Sequence, residues 1–361
     1  MSKKNKSMRV KLITNPGAGK ASESADSLKL AVSYLEKNNF KADVTFARPK
    51  EKATSIARQA VKDGYKIVIA MGGDGTIEAV MRGMVNGKAR LGIIPAGMKN
   101  NIATTLGIPK GLQEACALIA SDNTLKLDLG QVTTRKGRKF VFFEMSTIGL
   151  SPAGYPEANK ATSGDSSKIR TAPTTFIHQE TRPKVFLTID DKSTIETETM
   201  LVMVSNAPIF GKNFLVAPDA SMEDGLLDVS VYPGFGKLEL LSYFSEVMSG
   251  GYSGTGKVQH YRARKIKVKS SPKLDVISDG VELGKGTVKI KIRKGALRVI
   301  SSRQASELEN SEKDGTNAAP VPMKDEASTY PIQAKTNALE STFLTMGKNH
   351  QDKSANLAEA K

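Results

Sequence analysis

Five residues constrain this chain more than any others: Gly72-Gly73-Asp74-Gly75-Thr76. They follow a nearly all-apolar run over 66–71 (KIVIAM) and precede a helical pattern over 77–85. A continuous apolar run of that length suits a strand buried on both faces. Three glycines let the backbone approach a ligand closely, and the helix start offers free N–H groups to a phosphate. An aspartate in such a turn would repel phosphate unless a divalent cation or a polar network uses its charge. The turn is neither a Walker A loop nor the GxGxxG dinucleotide fingerprint. A helix-cap role for Asp74 would explain the acid but not the glycines around it.

The same strand-turn-helix order repeats over the first 125 residues. Strands are expected over 9–14, 42–46, 66–71 and 91–94, and helices around Leu28, Ala31, Val32 and Leu35, then over 54–62, 77–85, 100–106 and 112–120. Repeated βα units predict a doubly wound, Rossmann-like parallel sheet with helices on both faces. In such a sheet the strand C-termini share one edge, where ligands bind. Asn15-Pro16-Gly17-Ala18-Gly19-Lys20 and Pro95-Ala96-Gly97-Met98-Lys99-Asn100-Asn101 follow the first and fourth strands. Each is an ordinary turn alone. Their convergence with Gly72–Thr76 predicts a nucleotide site.

From about residue 126 strand patterns dominate: 139–146, 184–189, 199–205, 226–232, 265–269, 288–293 and 297–300. Ile266-Lys267-Val268-Lys269 and Val288-Lys289-Ile290-Lys291-Ile292-Arg293 alternate strictly, so each has one wet face. One helix is expected over 238–248. These patterns divide the chain into an α/β nucleotide-binding domain (1–125), an antiparallel β-sandwich domain (126–300) and a disordered tail (301–361). Residues 151–183, rich in Gly, Pro, Ser and Thr, read as a long mobile connection.

Charge is uneven. The chain carries +16, whereas residues 301–361 hold seven Lys/Arg against nine Asp/Glu, which leaves the first 300 residues at +18. A basic body implies an anionic partner. Aromatics are only 6% and no Arg-aromatic motif appears, so nucleic acid is not expected. Cys116 is the single cysteine, and His178, His260 and His350 are scattered, which argues against a disulfide or a Cys/His zinc site. No run approaches the ~18 apolar residues of a membrane span. A cytoplasmic protein is expected, in peripheral contact with an anionic membrane.

The ordered set Asn15-Pro16, Gly72-Gly73-Asp74-Gly75-Thr76, Pro95-x-Gly97-x-x-Asn100, Leu106-Gly107-Ile108-Pro109 and Asp128-Leu129-Gly130 resembles the diacylglycerol kinase catalytic-domain family, and within it the bacterial YegS-like lipid kinases. Ala217-Pro218-Asp219-Ala220 and Asp224-Gly225-Leu226-Leu227-Asp228-Val229 resemble that group's β domain. The resemblance spans about residues 8–300. It implies ATP-dependent phosphorylation of a lipid hydroxyl, with ATP and Mg²⁺ in a cleft between the domains. It assigns ATP to Asn15, Pro16, Gly72, Gly73, Asp74, Gly75, Thr76, Gly97 and Asn100, with Asp74 near the catalytic magnesium. It places Asp128 in an acidic network at the domain junction. It puts a structural magnesium on the carbonyls of Ser221 and Leu226 and the carboxylate of Asp224.

Three departures stand out. Glu78-Ala79 replaces the family's Asn-Glu, and Met98 and Asn101 replace Thr and Asp. Asp279-Gly280-Val281-Glu282 replaces Asp-Gly-Glu, whose glutamate is the family's proposed base. Glu282 is then the expected base, provided that the turn bulges at Gly280, with Asp279 as an orienting carboxylate. The alternative readings are a catalytically weak nucleotide- or lipid-binding regulator and an NAD kinase, which shares the GGDGT turn. The sequence assigns neither the lipid nor the oligomeric state.

Overall fold

The computed structural model describes residues 7–15, 21–48, 52–97, 100–121, 123–149, 182–210, 214–215, 217–248 and 256–302. Pro16, nearly all of the expected connection over 151–183 and the expected tail after residue 302 lie outside these residues.

Strands β1 (Met8–Thr14), β2 (Phe40–Phe46), β3 (Ile67–Gly72) and β4 (Arg90–Pro95) lie parallel in the spatial order β2-β1-β3-β4. All six residues of β3 are buried, as its unbroken apolar run requires. Helices α1 (Ala21–Lys37) and α5 (Leu112–Ala120) cover one face through Ala31, Leu35, Cys116 and Ile119. Helices α2 (Lys52–Lys62), α3 (Asp74–Met84) and α4 (Asn101–Thr105) cover the other through Ala57, Val80, Met81, Met84 and Ile102. At the α2–α3 crossing, a Cβ at Gly83 would lie 2.3 Å from the Thr54 carbonyl oxygen, so only glycine lets the two backbones meet.

The chain continues through β5 (Thr124–Thr134), β6 (Lys139–Phe142), β7 (Met145–Gly149), β8 (Lys184–Ile189) and β9 (Ser193–Ser205), then a small pair, β10 (Ile209–Phe210) and β11 (Phe214–Leu215). After β12 (Leu227–Pro233) comes α6 (Lys237–Met248), followed by β13 (Gln259–Ala263), β14 (Lys265–Ser271), β15 (Asp275–Ser278), β16 (Val281–Lys285) and β17 (Val288–Ile300). These strands form a sandwich around Val185, Val202, Val229, Ile266, Val276 and Ile290. Strand β9 belongs to both layers. Its first half pairs β8, and its second half pairs β7 and β12. Helix α6 packs outside one layer through Leu240, Phe244 and Val247, against Tyr232 and Met203.

Three local expectations change. The runs at 288–293 and 297–300 are one strand, β17, bent at Lys294-Gly295-Ala296, where the register with β5 shifts and Gly295 takes φ 56°. Its first half is antiparallel to β14 and β5, while Arg298 and Val299 pair parallel with Arg90 and Leu91 of β4. The sheet therefore runs unbroken from the α/β lobe into the sandwich. The expected strand over 139–146 is split into β6 and β7, because the amides of Phe143 and Glu144 turn to the Asp279 carboxylate. Strands β5, β10, β11, β13, β15 and β16 are not among the expected ones, and β13, β15 and β16 form a further part of the second layer.

Candidate functional site

The C-terminal ends of β1, β3 and β4 share one edge: Thr14 pairs with Met71, Met71 with Ile94, and Gly72 with Pro95. The turns beyond them touch. Ala96 donates its N–H to the Gly72 carbonyl at 3.0 Å. A Cβ on Gly97 would sit 2.4 Å from the Gly73 Cα, so the second and third turns press backbone against backbone. Asn100, in the left-handed region at φ 50°, closes the third turn on itself. Its Oδ1 accepts the Gly97 N–H at 3.0 Å and its Nδ2 donates to the Gly97 carbonyl at 2.7 Å.

Helix α3 starts at Asp74 with Gly73 as N-cap, and no side chain caps it. The first N–H groups of a helix have no intrahelical acceptor, so the Gly73–Gly75 backbone is a ready anion site. Thr76 is already committed: its N–H reaches the Gly73 carbonyl, and its side chain fills the space beside Gly72. Asp74 does not cap its own helix. Its Oδ1 accepts the Ile102 N–H at 3.0 Å, at the head of α4. Among the described residues Oδ2 has no hydrogen bond, so the carboxylate fits a cation held with a nucleotide.

One helical turn further along α3, Glu78 and Arg82 meet the β15–β16 hairpin. The Arg82 guanidinium donates to Glu78 Oε2 at 3.0 Å and to Asp279 Oδ2 at 3.2 Å, and it lies over the Phe140 ring at 4.6 Å. Asp279 is fully enclosed. Besides Arg82, it accepts the amides of Phe143 at 2.7 Å, Glu144 at 3.0 Å and Met145 at 3.2 Å. Four donors hold its charge. Burial, reinforced by neighbouring Asp279, pushes Glu78 up to about 8 despite Arg82. Burial also raises Asp279, against the pull of Arg82 and the three amides, so the two neighbouring carboxyls resist carrying two full charges.

Glu282 does not meet the condition set for it. The loop is the tight pair Asp279-Gly280, both at positive φ, and Ser278 faces Val281 while Ile277 faces Glu282 in regular register. The register shift falls later, opposite Val276. Adjacent strand residues point to opposite faces, so Glu282 is exposed on the side away from Val281, which packs against the sandwich core. Asp279, with its lone pairs taken, is a structural anchor rather than a proton acceptor.

Asp128 sits at the lobe junction, but each of its oxygens receives a backbone amide, from Gly225 and from Gly295, both at 2.6 Å. It clasps the bend of β17 to the 222–225 turn, and burial together with the negative charge of nearby Asp224 raises its pKa, so it stands among the acids of the lobe junction. The expected structural-magnesium site does not fit as it stands. Asp224 accepts the Leu226 N–H at 2.8 Å and is ion-paired with Arg262, which also lies 3.5 Å from Asp228. The Ser221 hydroxyl accepts the Glu223 N–H at 3.3 Å. Arg262 already supplies positive charge beside the one carboxylate of that expected site. Glu78 and Arg82 escaped the sequence reading as site residues, although their i, i+4 spacing behind the glycine turn was a usable signal.

The family model described as diacylglycerol kinase catalytic domain matches residues 9–132, and that described as YegS C-terminal NAD kinase beta sandwich-like domain matches residues 173–301. A protein of Pseudomonas aeruginosa named "Probable lipid kinase YegS-like" is 30% identical over 253 residues, covering 68% of this chain and 80% of that protein. The chain belongs to the YegS-like diacylglycerol kinase family. A diacylglycerol kinase of Bacillus subtilis is 24% identical, with 75% of this chain and 89% of the other covered. The crystal structure of a diacylglycerol kinase from Bacillus anthracis str. Sterne shares the fold, with a TM-score of 0.63 at 24% identity over 83% of this chain and 98% of that one.

Proposed function

We propose that the chain is an ATP-dependent kinase acting on a hydroxyl of a diacylglycerol-like membrane lipid. The Gly73–Gly97 contact carries the reading, because it closes two glycine turns around the uncapped head of α3, where backbone amides are available to phosphate. Asn15, Gly72, Gly73, Gly75 and Gly97 would line the nucleotide, with Asn100 holding the turn. Asp74 would hold Mg²⁺, which supplies positive charge for the transferred phosphoryl group. The proton-accepting role falls to Glu78. It lies one turn from Asp74 on α3 at the lobe junction, and a carboxyl with its raised pKa is matched to proton transfer near neutral pH. Incubation with radiolabelled ATP and a total lipid extract tests the reading. A labelled lipid establishes activity and substrate class together, and no labelled product sinks it.

A second reading, a catalytically weak nucleotide- or lipid-binding regulator, is favoured by one observation: Val281 stands at the family's base position, and the register turns Glu282 away from it. Nucleotide binding without lipid phosphorylation would select it.

A further inference from the structure

Three segments come together on the sandwich surface without a single acid. Residues 129–142 contain four Lys or Arg, residues 264–271 four, and residues 285–298 six, with no Asp or Glu in any of them. The register places their side chains. Lys267 lies opposite Lys289, and Lys265 opposite Lys291. Lys289 is opposite Thr133, which is opposite Lys139. Directly opposed residues share a face, so Lys139, Thr133, Lys289 and Lys267 form one row across four strands, with Gln131, Lys291 and Lys265 in the next. Lys269 and Arg293 extend the rows at either end. Beyond Thr133 the β5–β6 hairpin carries Arg135, Lys136 and Arg138, all exposed. The opposite face of the same strands, with Ile266, Val268, Val288 and Ile290, is the sandwich core, and on this face Lys139, Lys265, Lys289 and Lys291 are exposed while Gln131 is buried.

Like charges directly opposite each other on a sheet are destabilising. Among the described residues, Lys265 is compensated by Asp191, and Arg293 bonds Gln131. Lys267, Lys269, Lys289 and Lys291 have no acidic partner among them. Apart from Asp191 in the β8–β9 turn, acids on this face begin at β9, where Glu198 faces Lys184 and Glu196 faces Phe186. A fold that keeps opposed lysines bears a cost that an anionic partner would relieve.

We propose that this face docks on an anionic phospholipid bilayer. The proposal deepens the lipid-kinase reading and rests on it for its biological sense. An open sheet face with rows of lysines presents dispersed point charges, as a lipid surface does. Base recognition would use arginine forks and stacking aromatics, and on these rows the only ring is Phe186, opposite Lys269. Strand β5 links the surface to the catalytic lobe. The face that carries Gln131 and Thr133 also carries Leu125, Leu127 and Leu129, packed in the core beneath α3.

Flotation of the full chain with vesicles of phosphatidylcholine, with and without phosphatidylglycerol, tests this. The wild type should float with the anionic vesicles only, and added salt should release it. Replacing Lys267, Lys269, Lys289 and Lys291 together by Gln should weaken binding at least about tenfold. The melting temperature should stay level or rise, because opposed charges are removed. Should that variant misfold, Arg135→Gln with Lys136→Gln and Arg138→Gln, on the hairpin tip, should give a partial loss. Equal flotation of wild type and both variants would overturn the proposal. So would duplex DNA that displaces the wild type from vesicles and fails to bind the lysine variant. Phosphorylation of detergent-dispersed diacylglycerol should be unchanged in the variants. If no protein phosphorylates it while the flotation results hold, the kinase reading falls and the docking surface stands.

Discussion

Asp279 accepts a hydrogen bond from Arg82 at 3.2 Å across 197 positions of sequence. The contact binds the β15–β16 hairpin to the helix that begins at Asp74, so the arrangement of the nucleotide turns and that of the second lobe are coupled through one buried ion pair. Burying a charge is tolerable only when it is paired and hydrogen-bonded, and Asp279 meets both conditions.

Asp279→Ala should therefore be severe. It strands three amides in a dry site and takes from Arg82 one of its two carboxylate partners, and a loss of roughly 3–5 kcal/mol is expected in urea unfolding. Asp279→Asn keeps an acceptor and tolerates the φ of 42°, so it should cost less. Equal losses would show that the charge contributes nothing.

Glu78 makes stability depend on pH. Its folded pKa of about 8 exceeds the ordinary 4.5, so the folded state holds a proton that the unfolded chain releases. The stabilisation is fully present below about pH 4.5 and is lost as pH rises through about 8. Unfolding of the wild type at pH about 5 and 8.5, compared with Glu78→Gln, should differ by roughly 2–4 kcal/mol. If Glu78 accepts the substrate proton, the wild-type phosphotransfer rate should rise with pH through about 8, and the variant should lack that rise. A pH profile of activity unaltered by the substitution would remove Glu78 from the chemistry.

Asp74→Ala should reduce phosphotransfer by more than about 10²-fold. The fold loses one acceptor, that of the Ile102 amide, which costs ~1 kcal/mol. Near-normal turnover with Mg·ATP would refute the nucleotide-site assignment.

Gly97→Ala tests the same site from the backbone. Its Cβ would press on Gly73, and over-packing of this kind costs about 1–3 kcal/mol. ATP affinity, read by fluorescent-nucleotide displacement, should fall with it. Unchanged affinity would mean that the two turns need not touch.

At the 222–225 turn, Arg262 takes the charge role that a cation would fill. The melting temperature should then be indifferent to Mg²⁺ and EDTA, since a ligand stabilises only by binding the folded state. Burial pushes Asp228 up to about 6 despite Arg262, and Arg262→Ala should remove that opposing charge and destabilise the turn. A melting temperature that climbs with Mg²⁺ would restore the structural metal.

Much of the α/β lobe is legible in the chain because its signals are local. The unbroken run before Gly72 reads as a doubly buried strand, and the glycine turn reads as a strand-to-helix junction with backbone open to phosphate. The strict alternation of 265–269 and 288–293 likewise announces one wet and one dry face. Tertiary structure decided the rest. Whether Glu282 or Val281 faces a given side depends on which residues of β15 it pairs, and a shift of one residue reverses the answer. The return of β17 to β4, the division of 139–146 by Asp279, and the meeting of Arg262 with Asp224 all join segments far apart in the chain. Local sequence determines which way a segment can bend and what it must bury. Only long-range pairing determines what it is buried against, and in this protein that pairing decides which carboxylates keep a charge, which keep a proton, and which are left free to act.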